Sequence, residues 1–259
     1  MKKSICIEML ATEFEFYDRF AQVKNKGIDA IEFWGWEDKD LDRIKNLCKE
    51  NDLQISSFSG DADFSLCDSS QAEQYIEYIK KSMQAAKSIG CETLVIHSNA
   101  LGENGIVLNH YDNIPDDVKY ANMLKTLMAL APIAQENKIT LVLEALNTIV
   151  DHKGNALWHT DKAAELIRLV DSPYIKVLYD VYHMQIMHGN IIDTIEKNHD
   201  TFGLIHIADV PGRHEPGTGE INYKAVCKKL DEVGYKGFVA FELSAKNNFD
   251  EAMKAIVEL

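Results

Sequence analysis

The chain has 259 residues, 46% of them apolar, and a formal net charge of −14. That apolar share is enough for a full core, and the length suits one α/β barrel better than an ordinary domain. The negative charge argues against nucleic acid, whose nonspecific binding needs Lys and Arg to displace phosphate counterions. No apolar run approaches the roughly 20 residues that span a bilayer, so no membrane partner is expected.

Five cysteines (Cys6, Cys48, Cys67, Cys91, Cys227) are scattered and form no CxxC pair. That usage fits a reducing cytosol with buried thiols. The start, MKKSICIEM, lacks the apolar core and cleavage site of a signal peptide, so a cytoplasmic location is expected.

In chain order, SICIEM (4–9) reads as a strand. Residues 14–26 place Phe16, Phe20 and Val23 at helical spacing, and Gly27 stops the helix. DAIEFW (29–34) is a second strand, followed by a helix over 40–50 with Leu41, Ile44 and Leu47 on one face. A third strand covers 53–58, a long amphipathic helix covers 71–89, and TLVIH (93–97) is the fourth strand. Residues 116–137 form a helix in which Pro132 marks a kink or break. ITLVLEA (139–145) is the fifth strand, and Thr160 caps a helix over 161–170. IKVLYD (175–180) is the sixth, followed by VYHMQIMHGN with no element assigned, then a helix over 191–198. LIHIA (204–208) is the seventh strand, and its helix covers 223–233. GFVAFE (237–242) is the eighth, and a last helix runs from 249 to 258.

Eight strands alternating with eight helices, with no linker or charge block between them, predict one α/β domain over 1–259. The architecture is a closed (β/α)8 TIM barrel with parallel strands. No GxGxxG or GxxxxGK[ST] follows the first strand, which disfavours nucleotide binding.

The site of such a barrel lies at the carboxyl ends of the strands. Strand five ends at Glu144, six at Asp180 and eight at Glu242, while seven carries His206. One carboxylate at a strand end is commonly a helix cap, and one histidine in an apolar run is commonly a core residue. Four ionisable groups on adjacent strands instead converge on one side of the mouth. Three carboxylates that close repel strongly, and a divalent cation removes the repulsion. Three carboxylates with one imidazole suit Mn2+, Mg2+ or Co2+ and leave positions open for substrate oxygens. His183 lies three residues past Asp180, and Arg213 follows Pro211-Gly212, which sharpen its turn; Arg213 reads equally as a solvated loop charge. His97 ends strand four and reads as wall or as support behind the ligands, not as a ligand, while Trp34, Trp36 and Phe58 read as apolar wall against a substrate carbon chain or as closure of the barrel top. Glu8 stands near the end of strand one. His110, His152, His159, His188 and His199 read as loop or surface residues.

Five segments carry a resemblance. They are EFWGWEDKDLDRI from Glu32, LEALN from Leu143, DVYHMQIMHGNI from Asp180, IADVPGRHEPGTGEINY from Ile207 and GYKGFVAFE from Gly234. Over essentially its whole length the chain resembles the hydroxypyruvate isomerase family, within the xylose isomerase-like TIM barrels of sugar isomerases and epimerases. The resemblance implies that Glu144, Asp180, His206 and Glu242 hold a divalent metal. It also implies that Glu144 and Glu242 flank the substrate as acid/base carboxylates, and that His183 and Arg213 bind substrate oxygens. The expected substrate is a small sugar or keto acid, and superfamily habit points to a homo-oligomer. The expected reaction is aldose–ketose isomerisation through a metal-stabilised enediolate.

The chain departs from the family pattern in informative places. Relatives often carry glutamine in place of His206, and follow the last glutamate with Tyr and a Pro-Arg-Gly turn. This chain has Leu243-Ser244-Ala245-Lys246 there, so Lys246 offers a point charge in place of that arginine. Ketose 3-epimerases of the tagatose/psicose type, the alternative reading, usually carry a further glutamate where this chain has Val150. More distant readings are an endonuclease IV-like repair enzyme, which shares the barrel, and a non-catalytic sugar sensor.

Overall fold

The computed structural model describes residues 1–259. Eight strands close into a barrel in sequence order, β1 (Lys2–Cys6), β2 (Ala30–Phe33), β3 (Gln54–Ser59), β4 (Thr93–His97), β5 (Thr140–Glu144), β6 (Ile175–Asp180), β7 (Phe202–Ile207) and β8 (Phe238–Phe241). Every neighbouring pair is parallel, including β1 with β8. The helices are α1 (Arg19–Asn25), α2 (Leu41–Glu50), α3 (Ala72–Ile89), α4 (Asp116–Asn137), α5 (Thr160–Val170), α6 (Val181–Met187), α7 (Ile191–Asn198), α8 (Tyr223–Glu232) and α9 (Phe249–Glu258). No helix is long and apolar enough to cross a membrane.

Alternation along the strands divides the core. One large apolar cluster joins the outward faces of the strands to the helices. A smaller one, Val95, Val142, Leu178, Leu204 and Ala240, comes from five consecutive strands and plugs the inside. Because side chains repeat their facing every two residues, the residues two steps on face inward above that plug. They are His97, Glu144, Asp180, His206 and Glu242. The plug thus forms an apolar floor directly beneath five ionisable groups.

Several boundaries differ from the sequence expectation. β1 ends at Cys6 because the N–H groups of Met9 and Leu10 fold back onto the Cys6 carbonyl. Glu8 therefore lies in the following turn, paired with Lys39 at 2.9 Å. Pro132 leaves α4 unbroken; it sits on the exposed face of the helix, where water can take the carbonyl that loses its donor. α5 begins at Thr160 itself, and its cap is His159, whose Nδ1 accepts from the Asp161 N–H at 3.1 Å. VYHMQIM forms α6, a ninth helix. Of the five thiols, four are buried and Cys227 is partly exposed.

The loop over 208–222 is built on one carboxylate. Fully buried Asp209 accepts from the N–H groups of Val210, Gly217, Gly219 and Ile221 at 2.9–3.1 Å. A Cβ on Gly219 would collide with the Val210 carbonyl, so only glycine lets the loop close this tightly. Arg213, at the loop's tip, holds a left-handed backbone (φ 57°) and donates its N–H to the Asp209 carbonyl at 3.0 Å. Removing four charge-assisted hydrogen bonds costs about 3 kcal/mol even if half are replaced by water. Asp209→Ala should therefore lower Tm by roughly 6–12 °C in a chain of this size. An unchanged thermal denaturation curve would mean that other contacts hold the loop.

Candidate active site

Glu144, Asp180, His206 and Glu242 are all buried, and one ligand atom from each lies within 4.8 Å of the others. Each residue spends part of its side chain on the protein and turns the rest inward. Asp180 Oδ1 caps α6 by accepting the Tyr182 and His183 N–H groups at 2.7 and 3.2 Å. That leaves Oδ2 facing the cluster. Glu144 Oε2 meets His97 Nε2 at 3.2 Å, while Oε1 is buried with no partner. Glu242 Oε1 accepts from the Trp34 indole N–H at 2.8 Å, and Oε2 accepts from Arg213 Nη2.

His206 is oriented by a residue that the sequence reading passed over. Its Nε2 lies 3.2 Å from Glu32 Oε2, which also accepts from Ser57 Oγ at 2.8 Å. Glu32 Oε2 acts as an acceptor toward Ser57, so Nε2 donates to it and Nδ1 faces the cluster. Nδ1 lies 3.3 Å from Glu242 Oε2, 3.9 Å from Glu144 Oε1 and 4.0 Å from Asp180 Oδ2, without a hydrogen-bond partner. The signal for Glu32 was present as an acidic residue inside the apolar run AIEFW. Two orphaned donor atoms, Glu144 Oε1 and His206 Nδ1, beside two more carboxylate oxygens are what a divalent cation requires. The set O3N fits Mn2+, Mg2+ or Co2+.

The electrostatics are those of carboxylates buried beside cations. Burial raises the Asp180 carboxyl to about 7, with Glu144 adding to the rise and Arg213 opposing it. Burial also opposes ionisation of Glu242, yet Arg213 and His206 hold it well below the ordinary carboxylate value. For His206, burial would lower the pKa, but Glu32 and Glu242 outweigh it and hold it well above the ordinary histidine value. A proton on Nδ1 and a divalent cation thus answer the same field. His97 follows the same pattern. Burial lowers it, while Asp61 (Nδ1 to Oδ1, 3.0 Å) and Glu144 raise it to about 10. His97 is then a cation that bridges two carboxylates and fixes Glu144.

His183 and Arg213 stand at the edge of the cluster. His183 Nε2 lies 3.5 Å from Asp180 Oδ2 and 3.9 Å from Glu144 Oε1, and Arg213 Nη2 lies 3.5 Å from the same Asp180 oxygen. Burial and then Arg213 push His183 well below the ordinary histidine value. Arg213 is not a solvated loop charge: its side chain is 17% exposed and its guanidinium lies 5.0 Å from the Tyr182 ring centroid. Lys246 is exposed, and only its backbone N–H is engaged, by Glu215 Oε2 at 2.9 Å.

Other expectations are corrected. Trp34 is no purely apolar wall, since its indole orients Glu242. Trp36 turns away, donating to Ser82 Oγ on α3 at 2.9 Å, and Phe58 stacks on Phe33 inside the core. His152 lies in a loop, as expected, but is buried there; its Nδ1 donates to the Gly105 carbonyl at 2.7 Å, and its ring meets His183 edge-on. His159 and His188 stack on each other at 4.4 Å. Two further groups have metal-like spacing, Asp151–His152–His183 and Cys6–Glu32–Glu242. The Asn147 amide nitrogen fills the first, 2.6 Å from Asp151 Oδ2 and 2.7 Å from His183 Nδ1. In the second, Glu32 Oε2 is already engaged by Ser57 and His206, and burial with Glu32 and Glu242 nearby pushes the Cys6 thiol up, keeping it protonated.

The family model described as xylose isomerase-like TIM barrel matches residues 20–259. The chain is 26% identical to hydroxypyruvate isomerase of Escherichia coli, covering 98% of this chain and 97% of that protein. It is 28% identical to 2-oxo-tetronate isomerase of Haemophilus influenzae, covering 91% and 90%. Among solved structures, AP endonuclease family 2 from Brucella melitensis superposes with a TM-score of 0.89 at 24% identity, covering 99% of this chain and 98% of that one. The 3-keto-D-glucoside 4-epimerase of Escherichia coli gives 0.84 at 21%, covering 100% and 98%. At these identities the structural likenesses establish the fold.

The raised Asp180 pKa sets a pH dependence. Between its ordinary value of 3.8 and about 7 the cation-free folded chain holds a proton that the unfolded chain has lost. Its stability contribution is full below that window and falls as pH rises through it. A bound cation must displace this proton and that of His206, so Mn2+ affinity should rise between about pH 6 and pH 8, with proton release on binding. Titration calorimetry in buffers of different ionisation enthalpy would read both. Affinity independent of pH would place the cation elsewhere.

Proposed function

This chain belongs to the xylose isomerase-like TIM barrel family, and from that premise we propose that it is a divalent-metal-dependent isomerase of the hydroxypyruvate isomerase type. It would act as one domain on a small keto acid or sugar. The relatives named hydroxypyruvate isomerase and 2-oxo-tetronate isomerase, matched along nearly their full lengths, support the reaction class. The observation that carries the reading is the meeting of Glu144, Asp180, His206 and Glu242 at one point, with two donor atoms lacking partners.

A cation held by these four residues would serve as a Lewis acid, offsetting the negative charge that develops on neighbouring substrate oxygens when a proton leaves carbon. The protein's own groups do the rest. Glu144 and Glu242, on either side of the cluster, are the proposed pair that removes and returns the proton. His97 braces Glu144, while Trp34 and Arg213 brace Glu242, so both carboxylates hold their direction as charge moves. His183 Nε2 and Arg213 Nη2 converge on Asp180 Oδ2, where they would meet substrate oxygens. The plug of Val95, Val142, Leu178, Leu204 and Ala240 closes the floor against water from below.

The test is solvent deuterium incorporation into hydroxypyruvate, 2-oxo-tetronates and C4 to C6 ketoses with Mn2+ or Mg2+ present. Glu144→Gln and Glu242→Gln should each lower exchange by roughly 10³-fold with an unchanged circular dichroism spectrum. Near-normal exchange in either variant would remove the acid/base assignment. The carbon that gains deuterium separates isomerisation from 3-epimerisation. Cleavage of abasic-site DNA with zinc, and no exchange with any ketose, would replace this reading with the endonuclease one.

A further inference from the structure

Asn147 is fully buried just past β5, beside the ring of His183. Its amide orientation is dictated by the backbone. Oδ1 accepts the N–H groups of Val150 and Asp151 at 2.9 and 3.0 Å, so Nδ2 must face the other way. There Nδ2 uses both hydrogens, one to Asp151 Oδ2 at 2.6 Å and one toward His183 Nδ1 at 2.7 Å. Asp151 Oδ2 is held in turn by the Tyr182 hydroxyl, which donates to it at 2.9 Å.

An amide nitrogen only donates, so His183 Nδ1 must accept. A neutral imidazole that accepts at Nδ1 carries its proton on Nε2. The opposite tautomer would let Arg213 Nη2 donate to Nε2, but at 3.4 Å that contact is poor. It would also set two donors against each other at the 2.7 Å Asn147 contact. The shorter contact decides the tautomer. The approach of Arg213 to Nε2 is then two donors side by side, both aimed at Asp180 Oδ2.

We infer that Asn147 is a positioning residue that sets His183 as an Nε2–H donor directed at the substrate's oxygens. This rests on the proposed isomerase reading for what the donor meets, though not for the tautomer. A neutral donor polarises an oxygen on which negative charge develops while keeping its own proton.

Two variants test it. Asn147→Asp keeps the shape and the acceptor for Val150 and Asp151 but removes the donor, so His183 Nδ1 must become protonated. The double variant Asn147→Asp with Asp151→Asn returns an amide to the network. Position 151 then donates to the carboxylate at 147 and to the Tyr182 oxygen, whose own O–H turns to another acceptor, so the network closes again with the His183 tautomer still inverted. The ring nitrogens are read by long-range proton–nitrogen correlation on 15N-histidine protein without substrate, with the His183 signals assigned by their loss in His183→Gln. The expected result is protonated Nε2 and bare Nδ1 in the wild type, and the reverse in both variants. The kcat for exchange should fall roughly 10²-fold or more in both, with little change in KM, while the double variant regains the wild-type Tm. If the role were only structural, the double variant would regain turnover as well as Tm, and that result would overturn the inference. So would a wild type already protonated at Nδ1. Because the tautomer is read on resting protein, a wild type that exchanges no substrate would remove the proposed function while the nitrogen shifts still decide the role of Asn147.

Discussion

Everything at the mouth of this barrel follows from burying three carboxylates, Glu144, Asp180 and Glu242, above an apolar floor. At an effective dielectric of about 20, two such charges 4 Å apart repel by about 4 kcal/mol. The protein answers with Arg213, His97 and His206. Burial nonetheless holds Asp180 near neutrality, and two donor atoms stay without partners. Those open atoms are the strongest argument for a cation, because they belong to the whole donor set and not to any one ligand.

The same constraint explains how the side chains are aimed. Each ligand is tied at one atom and left open at another. Asp180 is tied by the first turn of α6, Glu144 by His97, Glu242 by Trp34 and Arg213, and His206 by Glu32. The ties reach outward to Asp61, Ser57, Asn147 and Asp151, so orientation is enforced by a polar network around the mouth of the barrel. Such a network has defined geometry only when all of its members are satisfied. Here the inner donor atoms are the ones left open.

The loops complete the arrangement. Asp209 gathers the backbone of 208–222 onto one carboxylate, which puts Arg213 at a fixed height above β7. The following loop is stitched to it, with the Ser244 N–H donating to the Arg213 carbonyl at 3.0 Å and His214 Nδ1 donating to the Ser244 carbonyl at 2.9 Å. The Leu243-Ser244-Ala245-Lys246 segment, where the resemblance leads to the expectation of an arginine-bearing turn, therefore braces Arg213 from behind. Lys246 does not take over the arginine's place in the site, since its side chain points to solvent.

Strand order, the parallel barrel and the inward facing of Glu144, Asp180, His206 and Glu242 could all be read from the chain. The period of two continues from the apolar plug straight into the polar ends, and that pattern is local. A short helix such as α6 was harder to see, because its cap, Asp180, also ends a strand and its residues are buried on nearly every side. Glu32 showed in the chain only as an acid inside an apolar run, with nothing to name its partner, and Asp61, Asn147 and Asp151 gave no sign at all. Each acts through a contact with a residue tens of positions away, and a sequence carries no distance between its loops. Residue type and spacing determined which groups face the barrel's interior. Only the closed fold decided which atom of each group is bound, which is left open, and in which tautomer, because hydrogen-bond direction is settled by neighbours that the chain brings together from opposite sides of the barrel.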